Sequence, residues 1–166
     1  MSPESDCPVF NFGNPGNSTA RLEITRASKK IQAFLCHAVS DKERVRKLYR
    51  ELQRDGIEPW FDEESLFPGQ DWELEIRRAI ARSDAVIVCL SKGSSTKTGY
   101  VQKEIKLALD HADKRPEGAI FLVPAKLEEC DIPERLARWQ YVDLFLDNGY
   151  KKLLHSVQSS RKGSAV

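Results

Sequence analysis

Six consecutive apolar residues, Ala-Val-Ile-Val-Cys-Leu at positions 85–90, constrain the fold of this chain more than any other stretch. A strand with one wet face alternates apolar and polar side chains, so an unbroken run reads as a strand covered on both faces. Strands of that kind belong to parallel sheets, whose crossover helices lie above and below. The flanking sequence agrees. Positions 31–36 (IQAFLC) form a second buried strand, and Ser40 follows with Glu43 three residues on, the spacing of a capping box. Val45, Leu48, Tyr49 and Leu52 then recur at helical spacing until Asp55-Gly56. Positions 57–61 (IEPWF) read as a strand and 71–82 as a helix. That helix is acidic at its start (Asp71, Glu73, Glu75) and basic at its end (Arg77, Arg78, Arg82), as its dipole favours. Its buried stripe is Trp72, Ile76, Ala79 and Ile80.

Beyond the apolar run, 91–99 reads as a polar loop. A helix follows with Val101, Ile105, Ala108, Leu109 and Ala112 on one face, and 115–118 (RPEG) breaks it. A fourth strand is expected at 119–125, a fifth at 140–143, and a closing amphipathic helix at 150–157. Strands and helices alternating at this spacing mean an α/β domain with a parallel sheet wrapped by helices. Periodicity does not give the order of the strands.

A chain of 166 residues suits one domain. With 26 basic and 25 acidic residues the net charge is +1, which gives no electrostatic reason for a nucleic-acid or membrane partner. No apolar run approaches the roughly 20 residues that span a bilayer, and no leader opens the sequence, so the expected location is cytoplasmic. The cysteines (Cys7, Cys36, Cys89, Cys130) and histidines (His37, His111, His155) show no metal-ligand spacing. Cys36 and Cys89 fall in buried strands and read as reduced core thiols, and no metal is implied. Positions 1–28, rich in Ser, Asn, Pro and Gly, read as a flexible arm or linker, and 159–166 as a tail.

Three kinds of chemistry are set aside on motif grounds. There is no G-x-G-x-x-G, and 91–98 (SKGSSTKT) has Thr96 where a phosphate loop needs its second glycine. No G-x-S-x-G elbow is present. Cys36 and His37, as neighbours in a strand, point to opposite faces and do not make a nucleophile–base pair. What remains is a carboxylate where a loop meets a helix. Glu75 and Glu73 flank the buried stripe on opposite sides, and the spacing also allows both to be solvated ion pairs, Glu75 with Arg78 and Glu73 with Arg77. The helical wheel leaves these alternatives open.

Several blocks in order resemble one family. They are Phe34-Leu35-Cys36-His37-Ala38 with Ser40-Asp41, Trp60-Phe61-Asp62, Pro68-Gly69 before a helix bearing Glu75-Ile76, and Val86 to Ser91. Over about residues 30–154 the chain is similar to Toll/interleukin-1 receptor (TIR) domains of the prokaryotic type. The resemblance implies a flavodoxin-like fold, with five parallel strands flanked by helices on both faces. It implies either cleavage of NAD+ at the nicotinamide–ribose bond, with NAD+ as substrate and no cofactor, or a non-catalytic scaffold that acts through TIR–TIR contacts. By position the family's catalytic glutamate falls on Glu75, with Glu73 as the fallback. Cys36, His37 and Ala38 would form one wall of the NAD+ site, Asp62 in the 62–70 loop the other, and Trp72 would stack on a ring. That loop would also join neighbouring subunits, and a sensor in cis or in trans would switch the domain on, as part of immune or defence signalling. Two departures stand out: Cys36 replaces a frequent Ser, and the family's frequent Trp-x-x-x-Glu spacing is here Trp72-x-x-Glu75.

Overall fold

A computed structural model describes residues 30–61, 67–96, 100–117 and 119–160. Its elements in chain order are β1 (Ile31–Cys36), a 3-10 turn (Val39–Asp41), α1 (Lys42–Arg54), β2 (Ile57–Trp60), α2 (Trp72–Arg82) and β3 (Ala85–Leu90). Then come a short α3 (Lys92–Thr96), α4 (Tyr100–Ala112), β4 (Leu122–Lys126), a second 3-10 turn (Glu134–Leu136), β5 (Val142–Asp143) and α5 (Gly149–Ser160). The strands form one sheet in the order β2-β1-β3-β4-β5, and each neighbouring pair is parallel. The flavodoxin-like expectation holds.

Period-2 alternation in the central strands divides the interior in two. Ala33 and Leu35 of β1, with Ala85, Ile87 and Cys89 of β3, face α1 and α5 and pack with Val45, Leu52, Leu153 and Val157. Phe34 and Cys36, with Val86, Val88 and Leu90, face α2 and α4 and pack with Ile76, Ile80, Ile105 and Ala108. All six residues of β3 are buried, because it is the middle strand with helices over both faces.

The prolines within strands occupy tolerable places. Pro59 lies on β2, an edge strand. Pro124 shares its parity in β4 with Lys126, whose carbonyl accepts from the Leu144 N–H on the β5 side. Pairing with β5 begins only at Ala125, so the missing N–H of Pro124 falls where little ladder exists.

Local details correct the sequence reading. Ser40 does not cap α1. It lies inside the 3-10 turn, α1 starts after Asp41, and Glu43 pairs with Arg46 instead of closing a capping box. A 3-10 turn uses the residues that would have formed the box, because the chain must bend sharply at the end of β1. Residues 92–96, expected as loop, form α3. β4 begins at Leu122, because Ala119 N–H is held by Pro116 O (3.1 Å) in a turn. Trp72 is 44% exposed and does not belong to the buried stripe, which is Ile76, Ala79 and Ile80. It sits at the first position of α2, before the helix descends onto the sheet. The expected arm at 1–28 lies outside the described residues, and α5 continues through Ser160. No helix among the described residues is long and apolar enough to cross a membrane.

Candidate active site

The strand order fixes where a ligand can enter. From β1 the chain moves outward through α1 to β2, then crosses back through α2 to β3 on the other side of β1. The carboxyl ends of β1 and β3 are therefore a topological switch point, where the two connections diverge and leave a crevice. One lip is Cys36-His37-Ala38 and the 3-10 turn after β1. The other is Ser91 and α3 after β3.

On the β1 lip, Cys36 is fully buried, His37 nearly so and Ala38 half-buried. The Cys36 side chain faces the α2–α4 layer, so its thiol lies beneath the crevice. Burial pushes the Cys36 thiol well above its ordinary value, and the nearby Glu104 carboxylate, which accepts a hydrogen bond from it, pushes the same way. Cys89 is also pushed up by burial, and then by the Asp41 and Glu104 carboxylates. Both remain protonated at neutral pH and neither is a ready nucleophile. The His37 ring lies 4.9 Å from the Phe61 ring, and Nδ1 is 3.3 Å from the Leu35 carbonyl. A carbonyl only accepts, so Nδ1 carries the hydrogen in that bond.

The carboxylates separate into two kinds. Glu75, in the first turn of α2, pairs with Arg78 at 2.8 Å with 19% of its side chain exposed, and Glu73 pairs with Arg77 at 2.8 Å. The two ion pairs that spacing allowed are both formed. Glu104, in the second turn of α4, is 3% exposed and lies beside Cys36, at the carboxyl end of β1. Asp41 is 5% exposed and accepts a 2.6 Å hydrogen bond from Ser91 Oγ across the crevice. Asp62 lies outside the described residues, and Trp72 stands exposed one turn before Ile76. The fold thus gathers Cys36, His37, Ala38, Asp41, Ser91 and Glu104 at one edge. Sequence reasoning passed over Glu104 and gave Asp41 no role beyond the motif. The signal for Glu104 was available, since Tyr100 precedes it by four residues, reproducing the aromatic-x-x-x-Glu spacing that Trp72 and Glu75 lack. Among the described residues no three His, Cys, Asp or Glu side chains group to hold a metal.

A family model for the TIR domain matches residues 33–154. This chain belongs to the TIR-domain family. A stretch of 80 residues is 39% identical to a protein named NAD(+) hydrolase TcpA from a Theionarchaea archaeon, spanning 48% of this chain and 24% of that protein. The TIR domain of the Toll-related receptor TRR-2 from Hydra magnipapillata has the same fold, with a TM-score of 0.64 and 22% identity over 76% of this chain and 97% of that one. So has a prokaryotic SEFIR domain, with a TM-score of 0.60 and 17% identity over 77% and 99% of the two chains. A metazoan TIR-STING receptor from C. gigas gives 0.63 and 21% over 75% of this chain and 38% of its own. At these identities the solved structures speak to fold alone.

Proposed function

We propose that this TIR domain cleaves NAD+ at the nicotinamide–ribose bond, releasing nicotinamide and either ADP-ribose or a cyclic isomer, and that self-association activates it in defence signalling. The observation that carries the reading is a buried carboxylate, Glu104, seated at the switch-point crevice of a TIR fold. The archaeal relative supports the substrate, since its name states NAD+ hydrolysis, although this chain spans only 24% of that protein.

The chemistry suits one acid. The nicotinamide of NAD+ is a cationic pyridinium that departs neutral, so no general acid need protonate it. Departure leaves positive charge on the ribose, as in glycoside cleavage. A carboxylate fixed nearby in a water-poor site stabilises that charge as it develops, and it can hold the ribose hydroxyls. Of the two candidates Glu104 is the better seated. Glu75 already has its charge met by Arg78, whose own side chain is exposed.

Self-association is supported by the 62–70 loop. Its described part presents Phe67 with 73% of its surface exposed. The turn is held by the Phe67 N–H donating to Gln70 Oε1 at 2.8 Å and by Gly69 at φ 89°. A large apolar ring held outward in this way suits a contact with a second copy or another TIR domain. A silent scaffold would use the same surface, and activity separates the two.

The test is nicotinamide release from NAD+ by the purified domain, dilute and then crowded on a tag-binding bead. Release is expected to rise with crowding and to fall about 100-fold or more in Glu104→Gln, the scale of losing one transition-state charge contact. Glu75→Gln is expected to retain most of the activity, and a loss there with Glu104→Gln active would return the catalytic role to Glu75. Phe67→Ser is expected to weaken self-association by sedimentation and to blunt the crowding effect. A folded, self-associating domain that releases nothing would be a scaffold.

A further inference from the structure

The two lips of the crevice are tied together by a bond that no local element requires. Asp41, in the turn after β1, accepts from Ser91 Oγ at 2.6 Å across 50 residues of sequence. Asp41, Ser91 and Ser94 are 5%, 2% and 2% exposed. The protons account for themselves. Ser91 spends its hydroxyl hydrogen on Asp41 while its oxygen accepts from the Ser94 N–H at 3.2 Å. Ser94 Oγ donates to the Ser91 carbonyl at 3.1 Å and accepts the Ser91 N–H at 2.7 Å. The two serines alone would suffice to begin α3, so the Asp41 contact adds something beyond a cap. With the Ser94 hydroxyl committed to the Ser91 carbonyl and the Ser91 hydroxyl to Asp41, Asp41 is the acceptor of the bond that spans the two lips.

The same turn is gripped from its other side. Glu128, in the loop after β4, accepts the Lys92 N–H on Oε1 at 3.0 Å and pairs through Oε2 with Arg44 of α1 at 3.1 Å. The lips lie close at Gly93, where a Cβ would sit 3.6 Å from Ser40 Oγ on the opposite lip, an ordinary van der Waals contact. The β3 lip therefore hangs between two carboxylates. Only Asp41 lies on the crevice side, at the end of the segment that holds Cys36 and His37.

We propose that Asp41 is a positioning residue for NAD+ cleavage: through Ser91 it latches the β1 and β3 lips at the spacing that receives the substrate. The role rests on the catalytic reading above, while the latch itself does not. A latched crevice is competent before substrate arrives. An unlatched one samples splayed arrangements, and substrate binding must first draw the lips together. The apparent affinity then falls by the competent fraction, while the bound complex reacts as before.

The test compares Ser91→Ala, Asp41→Ala and the double variant in steady-state nicotinamide release on the bead-crowded protein. The KM for NAD+ is expected to rise about tenfold in each single variant with kcat little changed, as a tenfold drop in the competent fraction requires. The double variant is expected to match Ser91→Ala, which already severs the Asp41 bond together with the acceptor of the Ser94 N–H. Ser91→Thr, which keeps the hydroxyl, is expected to recover most of the affinity. Hydrogen–deuterium exchange supplies a readout independent of activity: amides at 37–41 and 91–94 are expected to exchange faster together in Ser91→Ala, with the rest of the sheet unchanged. If Asp41→Ala does not fold, Ser91→Ala and Asp41→Asn carry the comparison. Additive losses, or faster exchange with an unchanged KM, would overturn the positioning role. Unchanged exchange in Ser91→Ala would overturn the latch. A wild type that shows the coupled exchange but releases no nicotinamide would sink the catalytic reading and the positioning role with it.

Discussion

At the scale of single residues, burial decides which groups are available for chemistry. Cys36 and Cys89 have no exposed surface, and burial raises both thiols. Cys130, partly exposed in the loop after β4, is also raised, mainly by desolvation. A raised thiol has a small thiolate fraction at pH 8 and reacts slowly. In the native domain iodoacetamide is therefore expected to modify Cys130 slowly and to leave Cys36 and Cys89 unmodified until denaturant is added, as peptide mass mapping would read. Modification of Cys36 at the rate of Cys130 would mean that the floor of the crevice opens readily. The sequence placed both strand cysteines in the core correctly, since each falls in an apolar run. It could not find the partner of Cys36. Glu104 is 68 positions away, and only the packing of α4 on the end of β1 brings them together.

At the scale of elements, helix termini were harder to read than helix faces. The stripes of α1 and α2 follow from 3.6-residue spacing, and Val45, Leu48, Leu52, Ile76 and Ile80 are buried as that spacing requires. Asp71 caps α2, its carboxylate accepting from the Glu73 and Leu74 N–H groups at 3.1 and 3.2 Å. The capping box expected at Ser40 gives way to tertiary geometry, because that segment closes the β1 lip. The start of α5 is set by close approach. A Cβ on Gly149 would lie 2.0 Å from the Asp143 carbonyl oxygen, so the helix can rest on β5 only with glycine there. Gly149→Ala is expected to destabilise the domain by about 1–3 kcal/mol, the usual penalty of forced overpacking. Urea denaturation would measure it, and a neutral result would mean that β5 and α5 separate at little cost.

At the scale of the whole molecule, long-range polar ties close the fold between distant segments. The Tyr150 hydroxyl donates to Asp55 Oδ2 at 2.6 Å, joining α5 to the end of α1. Burial first, and then the hydrogen bond and negative charge of Asp55, hold Tyr150 above its ordinary value of 10.0. The unfolded chain loses that proton near its ordinary value while the folded chain keeps it. The contribution is therefore complete below about pH 10 and declines as pH rises further. Stability of the wild type is expected to fall more steeply above pH 10 than that of Tyr150→Phe, as parallel thermal melts would record. Identical slopes would mean that Tyr150 ionises as freely in the fold as in the open chain.

What the sequence determined by itself was local: six apolar residues demanding cover on both faces, stripes at helical period, and alternation of strand and helix that leaves a parallel sheet as the consistent assembly. Family membership followed from blocks whose order and spacing survive in one dimension. The tertiary structure alone decided the strand order, and with it the switch point. It also decided which acids share that point. Asp41 and Ser91 are 50 residues apart and hydrogen-bonded, while Glu75, the carboxylate to which the family resemblance pointed, is met by its own helix neighbour Arg78. Periodicity records which face of an element is apolar. Which elements lie side by side is settled by handedness, crossover and packing over the whole chain, and no local window contains that information.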